Sequence, residues 1–340
     1  MTANPTRTLP IVSLMPPEIS ESENSGRTPE DATATKKTRP FLKWAGGKRQ
    51  LLPEIRRFYP ETFRDYVEPF VGSGAVFFDL HNQGLLSSRR ATLIDSNADL
   101  VGCYLNVRDH TAAVVKSLSQ LARAHTRDPE EHYYQVRNKR FNPQRARIAN
   151  GHGPDIQRYT PQLAAMLIYL NRTGFNGLFR LNSQGAFNVP VGRYKNPTVC
   201  DADNLASVAN ALSSSVTIVQ GGFETVLKTV KKGDFVYFDP PYAPLTETAQ
   251  FTSYTAAGFS TSDQERLQQV MVRLARKGCS VLLSNSTAPV ITRLYDGNAD
   301  AKAVGFRAYK IPARRMINSA PEKRGAVLEY LITNVPRRPQ

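Results

Sequence analysis

Long apolar runs are missing from this sequence of 340 residues. No stretch approaches the roughly 18 consecutive apolar residues that would suggest a membrane span. The segment from Met1 to Pro10 also lacks a basic patch followed by an apolar stretch, so no secretory signal is visible. These absences argue against a membrane protein or a secreted protein, and we expect a cytoplasmic location.

Cysteine is scarce as well. The three residues, Cys103, Cys200 and Cys279, are far apart in the chain and form no CxxC pair. This spacing argues against a disulfide scaffold and against a zinc site, and it fits a reducing compartment. We therefore expect no structural or catalytic metal.

Acidic residues are in the minority. The sequence has 44 Lys and Arg residues against 29 Asp and Glu residues, which gives a formal net charge of +15. Such an excess is typical of proteins that bind phosphate groups and favours a nucleic-acid partner with a nucleoid-associated location. The alternative is a basic enzyme whose charge has no particular partner.

The chain divides into a tail, a body and an insertion. Residues 1–38 are rich in Ser, Thr, Pro, Glu and Asn, and we expect them to form a disordered N-terminal tail. Residues 128–197 are rich in Arg, Asn, Tyr and Gly, and they interrupt the pattern of the body. We read this segment as an inserted domain, part helical and part hairpin, between the two parts of a body formed by residues 39–127 and 198–340.

Strand-like and helix-like segments alternate in the body. The predicted strands are apolar and β-branched, and they cover residues 66–70, 91–95, 216–220, 235–239 and 280–284. The predicted helices cover residues 75–81, 100–122 and 262–277. Strands separated by helices of this size predict an α/β fold with a mostly parallel sheet.

The first motif with chemical meaning follows the first predicted strand. Phe70-Val71-Gly72-Ser73-Gly74 would form a tight turn that opens a helix, so that the backbone can approach a ligand closely. Asp95 ends the next strand, where an acidic residue can accept hydrogen bonds from ribose hydroxyls. The alternative for Asp95 is a helix cap. Together these residues favour an adenosine-type ligand, but they do not separate a dinucleotide from S-adenosylmethionine.

The second motif, Asp239-Pro240-Pro241-Tyr242, follows the predicted strand FVYF. Two prolines fix a rigid loop at the carboxyl end of a strand, where open α/β sheets bind their ligands. An exocyclic base amine is a poor nucleophile, and the Asp239 carboxylate and the Pro240 carbonyl could accept both of its hydrogens. The Tyr242 ring could stack on the base. The alternative is a proline-rich turn with no chemical role.

The chain resembles the Dam-type DNA adenine methyltransferases over about residues 39–335. The matching segments occur in the family's order and are FLKWAGGK (41–48), VEPFVGSG (67–74), DSN (95–97), LNRTGFNGLFR (170–180), FNVP (187–190), GRY (192–194), DPPY (239–242) and SN (284–285). The order resembles the alpha group, in which the cofactor glycines come first and DPPY comes last. The resemblance implies a Rossmann-like methyltransferase sheet and methyl transfer from S-adenosylmethionine to adenine N6 in double-stranded DNA.

The resemblance also implies roles for single residues. The cofactor would contact Trp44, Lys48, Phe70, Gly72, Gly74, Asp95 and Asp239. The catalytic residues would be Asp239, Pro240 and Tyr242, which receive an adenine that has flipped out of the duplex. The DNA contacts would come from Lys43, Arg172, Phe175, Asn176, Leu178, Arg180, Pro190 and Arg193.

Within that DNA-binding set, Arg180 would form a bidentate pair with guanine, and Leu178 and Pro190 would contact a thymine methyl group. Arg172, Arg193 and Lys195 are candidates for phosphate contacts, with ordinary surface charge as the alternative. Phe175 could wedge into the base stack, or it could be a core aromatic. The matches at Lys43, Leu178, Arg180 and Pro190 suggest the recognition site GATC.

Three other functions remain open. Enzymes with related loops methylate cytosine N4, RNA or protein amides. The insertion and the aspartate of DPPY favour adenine as the target here. An NAD-dependent oxidoreductase would need a third glycine at position 77, which is Phe77. A non-catalytic DNA-binding protein would not need Asp239, Tyr242 and Lys48. We expect a monomer, and the sequence leaves open whether a restriction nuclease is paired with it.

Overall fold

The computed structural model describes residues 37–44, 46–150, 153–213, 215–245, 259–314 and 326–339. The predicted disordered tail, residues 1–38, lies outside these ranges except for Lys37 and Thr38.

Seven strands form one sheet in this part of the chain. They are Tyr66–Pro69 (β1), Ala91–Asp95 (β2), Val216–Gln220 (β3), Phe235–Phe238 (β4), Ser280–Ser286 (β5), Arg307–Arg314 (β6) and Ala326–Thr333 (β7). Their order is β3-β2-β1-β4-β5-β7-β6. Strands β1 to β5 are parallel, while β7 runs antiparallel to both β5 and β6. The predicted α/β fold with a mostly parallel, Rossmann-like sheet is confirmed.

The strand order reverses at β1. From β1 the chain adds β2 and β3 on one side, and it then crosses over to place β4 and β5 on the other side. Open α/β sheets bind their ligands in the crevice that such a reversal leaves at the carboxyl ends of the strands. The loops after β1 and β4 carry the two predicted motifs, so the topology brings these motifs to one place.

Helices cover both faces of the sheet, and several lie in the 128–197 segment. Their bounds are Leu52–Arg56 (α1), Ala75–Asn82 (α2), Ala98–Asp109 (α3), Thr111–His125 (α4), Pro129–Gln135 (α5), Asn142–Arg147 (α6), Pro161–Thr173 (α7), Ala202–Ala211 (α8), Val226–Thr229 (α9), Thr261–Arg276 (α10), Pro289–Tyr295 (α11) and Ala299–Ala303 (α12). A π-helical turn, Val136–Phe141, joins α5 to α6.

The two faces of the sheet bury separate apolar clusters. Neighbouring strand residues alternate between them, so Tyr66 packs in one cluster and Val67 in the other. The same alternation holds for Leu282 and Leu283 of β5. A parallel sheet covered on both faces needs apolar residues at consecutive positions, which is why these strands read as nearly continuous apolar runs.

The structure differs from the sequence prediction in the bounds of several elements and in one missed pair of strands. The single helix predicted for residues 100–122 is two helices, α3 and α4, because His110 leaves the helical conformation with φ −134° and ψ 35°. Strand β1 ends one residue early, since Phe70 takes a positive φ of 60°. The antiparallel pair β6 and β7 was not predicted.

Helix α7 is the buried centre of the 128–197 segment. It begins at Thr160, whose hydroxyl accepts a hydrogen bond from the Leu163 amide, and Pro161 occupies its first turn. Eight consecutive residues, Leu163 to Leu170, are buried in the same apolar cluster as Tyr66 and Tyr104. The irregular chain after α7 folds back on itself through short antiparallel bridges at Gly174–Val191 and Leu181–Phe187.

Candidate active site

A cleft of about 1500 Å³ opens at the carboxyl ends of β1 and β4. Its lining contains residues from every motif that the sequence singled out for the cofactor or the chemistry. Among the predicted site residues, it is lined by Lys43, Trp44, Lys48, Phe70, Gly72, Asp95, Arg172, Asp239, Pro240 and Tyr242. The fold therefore gathers residues that lie far apart in the chain around one cleft.

The turn after β1 depends on its glycines. Gly72 has a φ of +49°, and an added Cβ would lie 2.9 Å from Cδ1 of Trp44, which is closer than carbon atoms tolerate. Gly74 has a φ of +67°, and its Cβ would lie 2.8 Å from the Tyr104 hydroxyl oxygen. Gly72 lines the cleft, whereas Gly74 does not and instead precedes the first residue of α2. Gly72 thus allows close approach to the cleft, and Gly74 allows the turn to enter α2.

Asp95 stands at the end of β2 with its carboxylate held by backbone amides. Oδ2 accepts a hydrogen bond from the Gly72 amide at 3.2 Å, and Oδ1 accepts one from the Asn97 amide at 2.9 Å. Burial raises the pKa of this carboxyl, and the amide hydrogen bonds lower it in part. The cap of α3 is the Asn97 side chain, which accepts from the Leu100 amide, so the alternative reading of Asp95 as that cap is wrong.

An aromatic wall forms one side of the cleft beside Asp95. The ring of Phe70 stacks on Phe223 with 5.6 Å between centroids, and Phe259 packs edge-on against Phe70 at 5.5 Å. All three residues line the cleft. Phe223 and Phe259 were not among the site residues predicted from the sequence. Phe223 follows the carboxyl end of β3 and Gly221-Gly222, and that position at the ligand edge of the sheet was the available signal.

The aspartate of DPPY pairs with a buried lysine. Nζ of Lys48 lies 2.8 Å from Oδ1 of Asp239, and the two side chains are 5% and 20% exposed. The ammonium therefore stabilises the buried Asp239 carboxylate, chiefly by its charge. Burial raises the pKa of Asp239 above its usual range, and the Lys48 ammonium opposes that rise.

Tyr242 completes the group at the floor of the cleft. Nζ of Lys48 also lies over the Tyr242 ring, 4.8 Å from its centroid. The phenol donates a hydrogen bond to Oε2 of Glu329 at 2.9 Å. Lys48 therefore touches both the carboxylate and the ring of the DPPY loop.

The backbone of the DPPY loop is held from α10 and β5. Nε2 of Gln264 donates to the Pro241 carbonyl at 3.0 Å, and Oδ1 of Asn285 accepts from the Ala243 amide at 3.1 Å. The Ser286 hydroxyl donates to the Ala243 carbonyl, and Asn285 and Gln264 are bonded to each other. Of these residues, only Asn285 was within a motif that the sequence analysis matched.

The predicted DNA-contacting residues fall into two groups. Lys43 and Arg172 line the cleft. The amide of Lys43 donates to Oδ1 of the buried Asn171, and Nε of Arg172 donates to the Phe41 carbonyl. Burial lowers the pKa of Arg172. Arg172 is thus half-buried beside the cleft rather than on the outer surface.

The second group lies outside the cleft, on the chain that follows α7. Phe175 is 49% exposed, so its alternative reading as a core aromatic is wrong. Its amide donates to the Pro190 carbonyl at 2.9 Å, and Asn176 takes a left-handed φ of 53°. Leu178 is half-buried against the core, and Pro190 and Arg193 are exposed.

Arg180 lies on a short hairpin in the same region. The Asn188 amide donates to the Arg180 carbonyl, and Nε of Arg180 donates to Oδ1 of Asn188 at 2.8 Å. The hairpin is held at its far end by Arg145, which donates to the Gly185 carbonyl and whose Nε also donates to both carboxylate oxygens of Asp99 in α3. The exposed guanidinium of Arg180 is therefore held on a fixed support.

No group of three or more His, Cys, Asp or Glu side chains in the described ranges could hold a metal ion. No helix in the same ranges is long and apolar enough to cross a membrane.

Comparison with known proteins gives concordant matches. Residues 44–317 match the family model of the D12 class N6 adenine-specific DNA methyltransferases. The type II methyltransferase M1.LlaDCHI of Lactococcus lactis subsp. cremoris is 40% identical over 87% of this chain and 95% of its own length. The type II methyltransferase M.MjaIII of Methanocaldococcus jannaschii is 39% identical over 87% of this chain and 99% of its length. The DNA adenine methylase of Salmonella typhi is 36% identical over 88% of this chain and 97% of its own length.

Proposed function

Because the chain belongs to the D12 class of N6 adenine-specific DNA methyltransferases, we propose that it methylates the adenine of GATC in double-stranded DNA. In this proposal the adenine flips out of the duplex into a pocket formed by Asp239, Pro240 and Tyr242. The observation that carries the proposal is the contact of one buried ammonium, that of Lys48, with both the Asp239 carboxylate and the Tyr242 ring.

Family membership implies S-adenosylmethionine as the methyl donor, and the cleft fits it. Asp95 would accept hydrogen bonds from the ribose hydroxyls, and Phe70 and Phe223 would pack against the adenine ring. Gly72 and Trp44 would border the donor, with Lys48 beside its methionine end. Gly74 would act indirectly by shaping the turn. When bound, the donor supplies an activated methyl group as a sulfonium, so the reaction needs no metal.

The residues of the DPPY loop would prepare the target amine. Asp239 accepts a hydrogen from N6 and the Pro240 carbonyl accepts the other, which directs the nitrogen lone pair away from the ring. Lys48 opposes the rise in the Asp239 pKa that burial causes, and it so favours the ionised carboxylate, which accepts hydrogen bonds. The Tyr242 ring stacks on the flipped base and offsets the unstacking cost of a few kcal/mol. Positioning and electrostatics would thus supply the catalysis.

The target site would be read by residues 128–197 together with Lys43. Arg180 would pair with a guanine, Leu178 and Pro190 would contact a thymine methyl group, and the exposed Phe175 would enter the stack that the adenine leaves. Asn176, Arg172 and Arg193 would contact the DNA around these bases. The exposure of Phe175, Arg180, Pro190 and Arg193 supports this arrangement. We expect a monomer bound to cellular DNA in the cytoplasm.

A methyl-transfer assay tests the reaction and the site separately. Tritiated S-adenosylmethionine is incubated with two duplexes that differ only in containing GATC or GTTC, and the product base is identified. We expect label on adenine N6 in the GATC duplex alone, and with Asp239→Asn we expect about a 1000-fold lower rate. Label in genomic DNA but not in the GATC duplex would refute the site and keep the reaction. Label in no DNA would refute both.

Flipping has its own readout. 2-Aminopurine placed at the target adenine fluoresces more strongly when it leaves the stack. We expect a rise in fluorescence on binding in the GATC duplex, and no rise when 2-aminopurine occupies a position outside the site. Methylation without any rise at the target position would contradict the flipping step.

A further inference from the structure

Glu329 lies in β7, which the sequence analysis did not predict. Its register pairs it with Ser286 of β5 on one side and with Ile311 of β6 on the other. Strand β5 neighbours β4, so this register brings Glu329 to the edge of the cleft beside the DPPY loop. The side chain is only partly buried, and it reaches a group of the reaction centre.

That group is the phenol of Tyr242. Its hydroxyl donates to Oε2 of Glu329 at 2.9 Å, while Nζ of Lys48 lies 4.8 Å from the ring centroid. The ring is therefore held at its tip by a carboxylate and over its surface by an ammonium. A hydrogen bond to a charged acceptor is stronger than one between neutral groups. The bond from the phenol to Glu329 is therefore the stronger of the two interactions that hold the ring.

The backbone of the loop is held by different residues. Gln264, Asn285 and Ser286 bond to the backbone of Pro241 and Ala243 on either side of Tyr242. None of these bonds involves Glu329. Loss of Glu329 would therefore leave the loop in place and release only the ring, which borders a wide cleft and would gain rotational freedom.

We propose that Glu329 is a positioning residue, which fixes the Tyr242 ring in the orientation that stacks on the flipped adenine. The inference rests on the proposed function, in which Tyr242 is the stacking surface. Glu329 acts through Tyr242 and touches neither the base nor the methyl donor in this role. It is thus distinct from the catalytic residues of the DPPY loop.

A double-mutant cycle in the full-length protein tests the role. The variants are Glu329→Leu, which removes the acceptor, Tyr242→Phe, which removes the donor, and the combination of both. We expect each single change to lower kcat about tenfold, with the KM for S-adenosylmethionine unchanged, because one charged hydrogen bond is lost. We expect the double variant to be no worse than either single variant, since both remove the same bond.

Glu329→Gln is the matched conservative variant. Its amide oxygen can still accept from the phenol, so we expect kcat within about threefold of the wild type. The 2-aminopurine signal at the target should fall in Glu329→Leu and recover in Glu329→Gln. Multiplying losses in the double variant, or equal losses in Glu329→Gln and Glu329→Leu, would overturn the role. Circular dichroism checks folding, and Tyr242→Phe keeps the test decisive if Glu329→Leu does not fold.

The wild-type protein separates this inference from the proposed function. If the wild type neither methylates DNA nor raises the 2-aminopurine signal, the proposed function fails. If the wild type does both and Glu329→Leu behaves like the wild type, the role of Glu329 fails alone.

Discussion

Nζ of Lys48, from the segment before α1, lies 2.8 Å from Oδ1 of Asp239, from the loop after β4. Lys48 is the group that lowers the pKa of Asp239 against the effect of burial. The ion pair therefore links the ionisation of the DPPY loop to a residue that is distant in the sequence. Replacement of the lysine should be visible in the pH dependence of the reaction.

We expect Lys48→Met to shift the acid limb of the kcat profile to higher pH. The direction of this shift follows from the effect of Lys48 on the Asp239 pKa. Without the ammonium, burial acts unopposed, the pKa of Asp239 rises further, and ionised Asp239 is lost at a higher pH than in the wild type. Single-turnover methylation between pH 5.5 and 9 measures the limb. Lys302→Met, on exposed α12, serves as the control, and an unshifted limb in Lys48→Met would rule out this coupling.

The buried carboxyl of Glu68 should make stability depend on pH. Burial raises its pKa from 4.5 to about 8, although Tyr66 and the Phe77 amide donate hydrogen bonds to it. The folded protein thus holds a proton that the unfolded chain loses above pH 4.5. Stability from this group is greatest below pH 4.5 and falls as pH rises toward 8, by up to about 1.4 kcal/mol per pH unit.

Glu68→Gln removes that contribution because an amide does not titrate. Urea unfolding of the wild type and of Glu68→Gln is measured at several pH values between about 5 and 8.5. We expect the variant to become more stable relative to the wild type as pH rises. His81, His125 and His132 have lowered pKa values and act in the opposite direction, but they are common to both proteins. A difference that does not change with pH would show that Glu68 ionises normally.

The turn after β1 should tolerate no side chain at position 72. Gly72→Ala forces a Cβ against Trp44 at a positive φ, so we expect the Kd for S-adenosylmethionine to rise about tenfold or more. Gly233→Ala is the matched control, because Gly233 also has a positive φ of 86° but its Cβ would meet nothing closer than 3.8 Å. Isothermal titration measures both, and equal affinities in the two variants would contradict the close approach.

The buried ion pair between Arg145 and Asp99 should matter far more than a surface pair. Their side chains are 10% and 2% exposed, so Arg145→Met leaves a buried carboxylate without its partner, and we expect a loss of about 3–5 kcal/mol in urea unfolding. The control is Arg276→Met, whose pair with Asp300 is 58% and 69% exposed, with an expected loss of no more than about 1 kcal/mol. Comparable losses in the two variants would contradict the difference in burial.

We expect Arg180 to contact a base and Lys195 to contact a phosphate of the DNA. We expect Arg180→Ala to lose about 1–3 kcal/mol of discrimination between GATC and single-base variants, because it removes a base contact. Lys195→Ala should weaken binding to all sequences alike and reduce the salt slope by about 1, as loss of a phosphate contact does. Fluorescence anisotropy at several salt concentrations measures both. If Arg180→Ala weakened binding to all sequences equally, Arg180 would be a phosphate contact and not a base contact.

The sequence by itself determined the α/β class, the positions of the five parallel strands and the two motifs that meet at the cleft. It could do so because these features are local. Consecutive apolar residues specify strands buried on both faces, as at Val281 and Leu282, and glycine or proline pairs specify the turns at Gly72 and Pro240. The motifs also carried the family resemblance that the comparisons confirmed.

Only the tertiary structure decided which distant side chains complete the site. Glu329 reaches Tyr242 because β7 pairs antiparallel with β5 in one register, and a shift of one residue would turn its side chain to the other face. Phe223 meets Phe70 because β3 and β1 end at the same edge of the sheet. Such contacts depend on strand register and on the reversal of strand order at β1, which are properties of the packed sheet.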